Sequence, residues 1–358
     1  MRICLVGGIY GKSAELRRVF QMTPETILEQ GLRSRGHEVT TAGHGQSPDW
    51  TRCDVIHVHH LGLGALRAAC APWEAAFVFT THDPEAICGL PVTPARRLAM
   101  RWVMSRADAV VALSATEAGF QQRTYPLAAA RQVVISNGID AENYAYVRRN
   151  EAGRNGVWRL LYVGQLIEMK RVDLLLRALS RLPDSVEADL VYHNGALEQH
   201  LQELAARLGL ERRVRFAGGK NPAELRELYH RADLLVHPSA GEALPSVLTE
   251  AMLCGTPVVA TAIAGVPEQL AGYGVLVPPG CDEELARAIR QVLDHYEEYA
   301  SKSEAASRYA RQRFSIEQMV SRHLELYQGL VAGRNPRRRH GFLGASARWG
   351  VEILCKTT

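Results

Sequence analysis

The sequence predicts an α/β protein in which two doubly wound parallel sheets face a central cleft. Short apolar runs that suit buried strands alternate with amphipathic helical segments along the chain, a pattern typical of parallel sheets with helical crossovers. The 358 residues exceed what one hydrophobic core usually serves, so two domains are expected. The alternation falters once, in the polar stretch 148–156, which we interpret as the interdomain linker.

The first series of elements predicts an N-terminal domain over residues 1–150. Its first amphipathic helix is expected to begin at Thr23-Pro24, a capping residue followed by proline, and to stop at Gly36. The predicted strands are Ile3–Val6, Val39–Ala42, Val55–His59, Phe77–Thr81, Ala109–Leu113 and Val133–Ile135.

The second series predicts a C-terminal domain over residues 157–314. Its strands are expected at Leu160–Val163, Leu190–Tyr192, Val214–Phe216, Leu234–Val236, Val258–Ala260 and Val275–Val277. Ligands of doubly wound sheets bind outside the carboxyl ends of the strands. Two such domains therefore predict a shared binding cleft between them.

Composition and charge narrow the class of protein. Seven scattered cysteines without a Cys-x-x-Cys pair argue against a disulfide framework or a zinc site and favour a reducing cytoplasm. The first apolar run reaches glycine at residue 7, too early for a signal peptide or a membrane span. The net charge is +4, but residues 331–358 alone carry +5, which leaves −1 for the rest. Only this tail, counted from residue 333, is basic, and apolar residues follow its arginines. It could make a weak contact with an anionic membrane surface or pack on the N-terminal domain, and the alternative is a solvated end.

The segment Gly241–Pro257 contains the strongest functional signal. Glu242 and Glu250 bracket a short helix that is apolar on nearly every face, with Pro245 suited to its first turn and Gly255 to its left-handed end. A helix of this kind is buried, and a buried carboxylate needs a partner. The start of the helix and Glu250 are roughly 8 Å apart, about the reach from a diphosphate to the ribose hydroxyls of a nucleotide. The alternative is a solvated glutamate on a surface helix.

This segment resembles the Glu-x7-Glu signature of retaining glycosyltransferases of family four. Further motifs of that family are matched by five short segments: Ala107–Ser114, Asn137–Asp140, Ser239–Glu242, Pro257–Glu268 and Val277–Gly280. The resemblance covers about residues 1–330. It implies the GT-B fold, two Rossmann-like domains around a cleft, with a C-terminal helix at about 315–332 that packs back on the first domain.

The resemblance also implies an activity. The protein is expected to move a sugar from a nucleotide diphosphate donor, held mainly by residues 157–314, to a hydroxyl-bearing acceptor on the N-terminal half. The anomeric configuration would be kept, with the departing phosphate taking the acceptor proton. The nucleotide-sugar is a substrate, so no cofactor, no metal and no nucleic acid is expected.

Residue roles follow by the same resemblance. Glu250 would bind the ribose hydroxyls, and Glu242 would bind the sugar. The diphosphate would be held by Lys170 and by backbone N–H groups of the segment Ala243-Leu244-Pro245-Ser246. Lys170 ends a Gly164-Gln165-x4-Lys segment in which Gln165 replaces the arginine usual in the family. The alternative for Lys170 is an ordinary exposed lysine.

Three further positions are weaker candidates. Gly8 follows the first strand, and Gly195 occupies the place of a glycine loop that approaches the nucleotide in the family. His82 ends a strand in a Thr-Thr-His-Asp segment that resembles the family's Thr-x-His-Asp, so a role toward the donor sugar or the acceptor is expected.

The sequence disfavours two other kinds of site, a histidine metal site and a P-loop. His57 and His59 share one face of a strand and His60 should point away from it, so buried or cleft-lining, hydrogen-bonded histidines are favoured over a metal site. Gly11-Lys12-Ser13 lacks the glycine spacing of a P-loop.

Three rival functions remain open: a nucleotide-sugar epimerase, a phosphorylase, and a nucleotide-binding module without catalysis.

Overall fold

The computed structural model describes residues 1–13, 16, 23–46, 48–70, 74–82, 92–125, 131–148, 153, 156–193 and 195–333. Most of the predicted linker at 148–156 and the basic tail from residue 334 onward lie outside the described residues. The domain boundaries drawn from the linker therefore stay a prediction.

The N-terminal half contains a six-stranded parallel sheet in the order β2-β1-β3-β4-β5-β6. Its strands are β1 Arg2–Val6, β2 Glu38–Ala42, β3 Val55–His59, β4 Ala76–Thr80, β5 Ala109–Ala112 and β6 Gln132–Val134. The sheet reverses its winding direction between β1 and β3, where Ile3 aligns with Val55. The doubly wound arrangement predicted for this half is confirmed.

Four helices of this half are described, and they cover the faces of the sheet: α1 Pro24–Ser34, α2 Leu63–Cys70, α3 Pro94–Arg106 and α4 Ala115–Thr124. α1 begins as predicted, since the Thr23 hydroxyl accepts a hydrogen bond from the Thr26 N–H in a capping box. Gly36, with φ of 78°, follows two residues after its end.

The C-terminal half contains a second six-stranded parallel sheet in the order β12-β11-β10-β7-β8-β9. Its strands are β7 Trp158–Val163, β8 Val186–Val191, β9 Val214–Gly218, β10 Leu234–His237, β11 Val258–Thr261 and β12 Val275–Val277. The helices are α5 Val172–Ser180, α6 Glu198–Arg207, α7 Pro222–Arg231, α8 Ser246–Cys254, α9 Val266–Leu270, α10 Asp282–Asp294, α11 Tyr296–Phe314 and α12 Ile316–Ala332.

One strand is much longer than its apolar run predicts. β8 begins at Val186, four residues before the predicted Leu190, because Glu187 and Asp189 break the run. Asp189 is half-buried, and its carboxylate accepts two hydrogen bonds from Arg215 of β9 at 2.7 and 2.8 Å. An apolar run therefore underestimates a strand whose alternate residues form cross-strand ion pairs.

The last helix, α12, returns to the N-terminal half. Its Met319, Val320 and Tyr327 lie in the same core cluster as Ile3 and Leu5 of β1. α1 meets α12 closely, since a Cβ on Gly31 would lie 2.4 Å from Val320 Cγ2.

The chain passes between the two halves at Ile139 and again at Phe314–Ile316, and these two segments lie side by side. Ile139 N donates to Phe314 O at 2.7 Å, and Ile316 N donates to Ile139 O at 3.1 Å. Within the described residues, no helix is both long enough and apolar enough to span a bilayer.

Candidate functional site

The carboxyl edges of the two sheets face each other across the cleft. Gly265, between β11 and α9, lies close to the N-terminal half, because a Cβ there would lie 2.9 Å from Ser114 Oγ. Glu268 of α9 also reaches across, accepting hydrogen bonds from the N–H groups of Ala115 and Thr116 at 2.7 and 3.2 Å. These N–H groups open α4, so the carboxylate satisfies the positive end of that helix.

Lys170 and Glu242 form an ion pair on the C-terminal side of the cleft, although 72 residues separate them in sequence. Both side chains are largely buried, with exposed fractions of 17% and 14%. The interpretation of Lys170 as an ordinary exposed lysine is therefore wrong.

His237, the last residue of β10, contributes to the same group, with Nε2 3.3 Å from Glu242 Oε1. Burial opposes ionisation of Glu242, but the hydrogen bond and charge of His237 and the nearby Lys170 outweigh it and lower the pKa of this carboxyl. Glu242 is thus ionised at neutral pH, and a polyanionic ligand would compete with it for Lys170.

The segment that carries Lys170 differs locally from the prediction. Lys170 ends a 3₁₀ turn, Glu168–Lys170, and α5 begins only at Val172 after Arg171 in the left-handed region at φ 50°. The turn is tied to the β10–α8 loop because Met169 O accepts from Ala240 N at 2.8 Å and from Ser239 Oγ at 3.1 Å. These bonds fix Lys170 opposite Glu242.

The amino end of α8 follows Glu242 directly. Pro245 is the N-cap with extended backbone rather than a residue of the first turn, and having no N–H it cannot donate to a phosphate as predicted. Its carbonyl instead accepts from Gln269 Nε2 at 2.8 Å. Ser246 opens the helix and is exposed, whereas Ala243 is buried and Leu244 is half-buried. The far end is as predicted, since Gly255 has φ of 79°.

Glu250 lies on the buried helix as expected, with an exposed fraction of 9%. The interpretation as a solvated surface glutamate is therefore wrong. Its Oε2 accepts a hydrogen bond from Tyr229 Oη of α7 at 2.7 Å. Burial raises the pKa of the Glu250 carboxyl, and the hydrogen bonds from Tyr229 and Ser246 oppose that rise. No sequence motif identifies Tyr229, because only the packing of α7 on α8 brings it there.

The remaining predicted donor-side positions are glycines and Gln165. A Cβ on Gly164 would lie 2.6 Å from Tyr162 Oη, so glycine is required for this close approach. Gln165 is exposed, and its backbone carbonyl accepts a hydrogen bond from Tyr162 Oη at 2.8 Å. Gly195 lies close to the first residue of α6, with a would-be Cβ 3.0 Å from Glu198 Cβ.

On the N-terminal side, Gly8 begins a 3₁₀ turn at Gly8–Gly11, and a Cβ on it would meet no atom within 4 Å. Its neighbour Gly7 is more constrained, since a Cβ there would lie 3.2 Å from Glu25 Cγ. The loop after β1 thus lies open on one side and packs on Glu25 on the other.

Histidines cluster around Glu25 at the ends of β3 and β4. His82 Nε2 lies 3.0 Å from His59 Nδ1, and the His60 and His82 rings are 4.7 Å apart. Glu25 Oε1 lies 3.3 Å from His60 Nε2. The prediction that His60 points away is wrong, because its left-handed backbone, φ 65°, ends the alternation of the strand.

His82 has φ of 45°, so two neighbouring non-glycine residues at one sheet edge hold an unfavourable backbone conformation. Such conformations concentrate at functional sites. Burial, with the nearby His60, lowers the pKa of His82 to about 3. Burial opposes ionisation of Glu25, but the hydrogen bond from His60 and the proximity of His59 and His82 lower its pKa strongly. A neutral imidazole therefore stands beside an ionised carboxylate at neutral pH.

His57, by contrast, is a structural residue. Its Nδ1 lies 2.6 Å from Tyr327 Oη of α12 and its Nε2 lies 2.7 Å from Thr80 Oγ1. Both ring nitrogens are thus hydrogen-bonded within the protein, which is the favoured alternative to a metal ligand.

Comparison with known proteins agrees with this architecture. The model of the family "Glycosyl transferases group 1" matches residues 147–313, and that of "Glycosyltransferase Family 4" matches residues 46–143. A D-inositol 3-phosphate glycosyltransferase of Corynebacterium aurimucosum is 32% identical over 72% of this chain and 68% of its own length. A glycogen synthase of Mycobacterium tuberculosis is 29% identical over 85% of this chain and 77% of its own length.

Solved structures show the same fold. The sucrose-phosphate synthase of Thermosynechococcus elongatus aligns with a TM-score of 0.77 and 19% identity over 93% of this chain and all of that one. The Anabaena protein HepE in complex with UDP-glucose aligns with a TM-score of 0.70 and 24% identity over 92% of this chain and all of that one. The predicted GT-B fold is confirmed.

Proposed function

The chain belongs to the glycosyl transferases group 1 family with the GT-B fold, and from this membership we propose that it moves a sugar from a nucleotide diphosphate donor to a hydroxyl acceptor, with retention at the anomeric carbon. The observation that carries the proposal is the largely buried Lys170–Glu242 ion pair in front of α8. Burying two charges is costly even when they pair, so a buried ion pair is weak evidence for a purely stabilising role. A donor diphosphate is the group that would use both the lysine and the helix end.

The donor would lie along α8. The N–H groups of Ser246 and Val247 open the helix and are available to phosphate oxygens. The next N–H group, that of Leu248, donates to Pro245 O at 3.3 Å. Lys170 would exchange part of its contact with Glu242 for the diphosphate, and Glu242 would then hold hydroxyl groups of the sugar. Glu250, presented from the same helix and fixed by Tyr229, would accept hydrogen bonds from the ribose hydroxyls. The UDP-glucose bound to HepE supports a donor of this class.

The acceptor would lie against the N-terminal edge. His82, neutral because of its low pKa, can accept or donate a hydrogen bond without adding charge. We assign it to positioning the acceptor hydroxyl or the donor sugar beside the open side of Gly8.

The proposed reaction needs no protein nucleophile. The bond between the anomeric carbon and the diphosphate oxygen breaks while the acceptor oxygen bonds to that carbon on the same face, and the departing phosphate takes the acceptor proton. Lys170 and the α8 amides would stabilise the charge on the leaving group, an electrostatic role that replaces a metal ion. On this mechanism no cofactor is required.

The test is a thermal-shift screen of UDP-, GDP- and ADP-sugars, since a ligand at 100 times its dissociation constant stabilises a protein by roughly 2.7 kcal/mol. Candidate hydroxyl acceptors are then added to the donor that binds, and release of free nucleoside diphosphate is measured. An α-linked product from an α-linked donor confirms retention.

The same screen separates the rival functions. An epimerase would change the bound sugar without any acceptor, a phosphorylase would require inorganic phosphate, and a binding module would release no diphosphate under any condition. Each of these results would contradict the proposal.

We also propose a cytoplasmic location, with a weak contact between the basic tail at 333–358 and anionic membranes. Its arginines, four of them within residues 334–339, would give salt-sensitive binding. Equal sedimentation of the full chain and a chain ending at Gly333 with phosphatidylserine vesicles would exclude this role.

A further inference from the structure

Helix α3, Pro94–Arg106, presents an unusual outer face. Its inner residues Met100, Val103 and Met104 are buried in the N-terminal core. Its outer face carries Leu98, with 69% of its surface exposed, and Trp102, with 38%. These two apolar side chains are four residues apart, so they lie next to each other on one face of the helix.

Cations flank this apolar pair. Arg97 and Arg101, one residue before Leu98 and Trp102, are exposed and also four residues apart. Exposed Arg131 lies at the same face, since its Nη1 donates to Ser105 O at 3.1 Å. α3 contains no aspartate or glutamate. We call Arg97, Leu98, Arg101, Trp102 and Arg131 the α3 patch.

We propose that the α3 patch binds the surface of anionic lipid membranes. A helix that lies in the membrane interface places tryptophan and leucine about 5–10 Å into the boundary between headgroups and acyl chains, with basic residues around them. Arginine side chains reach the lipid phosphates while their stems lie along the apolar surface. The α3 patch has this arrangement, and it is a surface distinct from the basic tail.

Area and charge favour lipid over a protein partner. A specific protein interface buries about 1,200–2,000 Å² in total, far more than two adjacent side chains supply. Lipid binding needs only a shallow apolar insertion, supported by attraction between arginines and anionic headgroups. The residues of the patch thus suit a peripheral contact.

The position of α3 gives this contact a direction. The helix lies between β4, whose carboxyl end carries His82 at the cleft, and the start of β5. Its first turns, with Arg97 and Leu98, therefore lie toward the cleft edge of the N-terminal sheet. Contact through the patch would hold this edge near the membrane. The inference does not depend on the proposed activity.

The experiment is co-sedimentation of the full chain with vesicles of phosphatidylcholine, with or without phosphatidylglycerol. Wild-type protein should bind only the anionic vesicles, and binding should weaken as salt rises. Arg97→Gln with Arg101→Gln should lower partitioning about 25-fold, because each arginine near an anionic surface contributes about fivefold. Leu98→Ser should also weaken binding.

Matched controls come from the C-terminal half. Arg177→Gln with Arg207→Gln removes two exposed helical arginines, and Leu276→Ser removes an exposed leucine. Both control variants should bind as the wild type does. The tail is present in every variant, so a contribution from it cancels in the comparison.

A spectroscopic readout locates the contact. In a Trp349→Phe background, which removes the tryptophan of the basic tail, Trp102→Phe should keep most of the binding but lose the blue shift of tryptophan fluorescence that vesicles induce. A shift that persists in Trp102→Phe, or patch variants that sediment like the wild type, would overturn the proposal. It would equally be overturned by a wild type that ignores anionic vesicles but forms a dimer that Leu98→Ser dissociates, since the occupant would then be a second copy.

Discussion

The two sides of the cleft achieve a polar interior by opposite means. On the C-terminal side, Lys170, Glu242 and His237 form a charged group at the amino end of α8. On the N-terminal side, buried histidines that remain neutral lie around the carboxylate of Glu25. The first arrangement suits a ligand that brings several negative charges, and the second suits one that brings hydroxyl groups.

This difference explains how far each side could be anticipated from the sequence. The charged side depends on residues within short motifs, whereas the histidine side joins residues from α1, β3 and β4 through long-range packing. If the two sides differ in this way, substitutions on the charged side should change ligand binding and turnover, and those on the histidine side should change the pH dependence of stability.

The largest effect is expected from Glu242→Gln. The variant keeps the shape but loses the charge that holds Lys170 and His237, so both would be displaced. A misplacement of about 1 Å in a site can cost about 100-fold in turnover, and this is the loss we expect in kcat for nucleoside diphosphate release. Glu211→Gln, on an exposed loop, should have no effect. Normal turnover in Glu242→Gln would show that the charged group is structural.

Lys170→Ala tests the diphosphate contact itself. It should weaken nucleoside diphosphate binding by about 1.5–3 kcal/mol, the value of a hydrogen bond to a charged group. Calorimetry with the product nucleotide measures this directly. The matched control is Lys302→Ala on α11, which also removes an ion-paired lysine. Unchanged affinity in Lys170→Ala would remove this residue from the donor site.

The histidine side, which also includes His323 of α12 with its ring centroid 5.4 Å from that of His57, should be sensitive to acid instead. Burial lowers the pKa of His323, which donates to Met319 O, to about 4. Between about pH 6.5 and 4 the unfolded chain binds a proton at this position that the folded chain does not, so stability is lost as pH falls. Across this pH interval, the free energy of unfolding of His323→Gln should fall by roughly 2 kcal/mol less than that of the wild type, as measured by urea titrations.

The control for this experiment is His200→Gln, because His200 is exposed on α6. It should follow the wild-type pH dependence. A wild-type stability that is flat between pH 6.5 and 4 would show that the histidine side is not held neutral by burial.

The smallest effect is expected from Glu250→Gln. Charge-assisted hydrogen bonds to ribose would become neutral ones, which should weaken donor binding by about 1.5 kcal/mol. Tyr229→Phe leaves the carboxylate charged and should weaken binding less. A 2′-deoxyribose donor should be bound less well than the ribose form by wild type, and this preference should shrink in Glu250→Gln. If wild type binds both forms equally, the ribose assignment is wrong.

Much of the fold followed from hydrophobic periodicity. The two parallel sheets, the capping of α1 by Thr23 and the end of α8 at Gly255 are local consequences of sequence. The start of β8 was missed because paired charges on one face hide a strand. The 3₁₀ turn before α5 was missed because a left-handed Arg171 carries no sequence signal.

The candidate site divides in the same way. Glu242, Glu250 and Lys170 were found because they lie in motifs with fixed spacing. Tyr229 and Glu25 were not, since each reaches its partner only through the packing of helices distant in sequence. His60 was misplaced because strand alternation no longer applies once the backbone turns left-handed.

We infer that the paired crossings at Ile139 and Phe314–Ile316 act as a pivot between the two halves. The hydrogen bonds that join these segments oppose sliding of one past the other, which leaves rotation about their common line as the expected motion. Residues near that line travel least for a given angle, and Glu268 is one of them, since its carboxylate lies 3.7 Å from Arg313, next to Phe314. The hydrogen bonds from the first turn of α4 to Glu268 can therefore persist while the open edge of the cleft widens. Substrates could then enter and leave without the two halves losing their alignment.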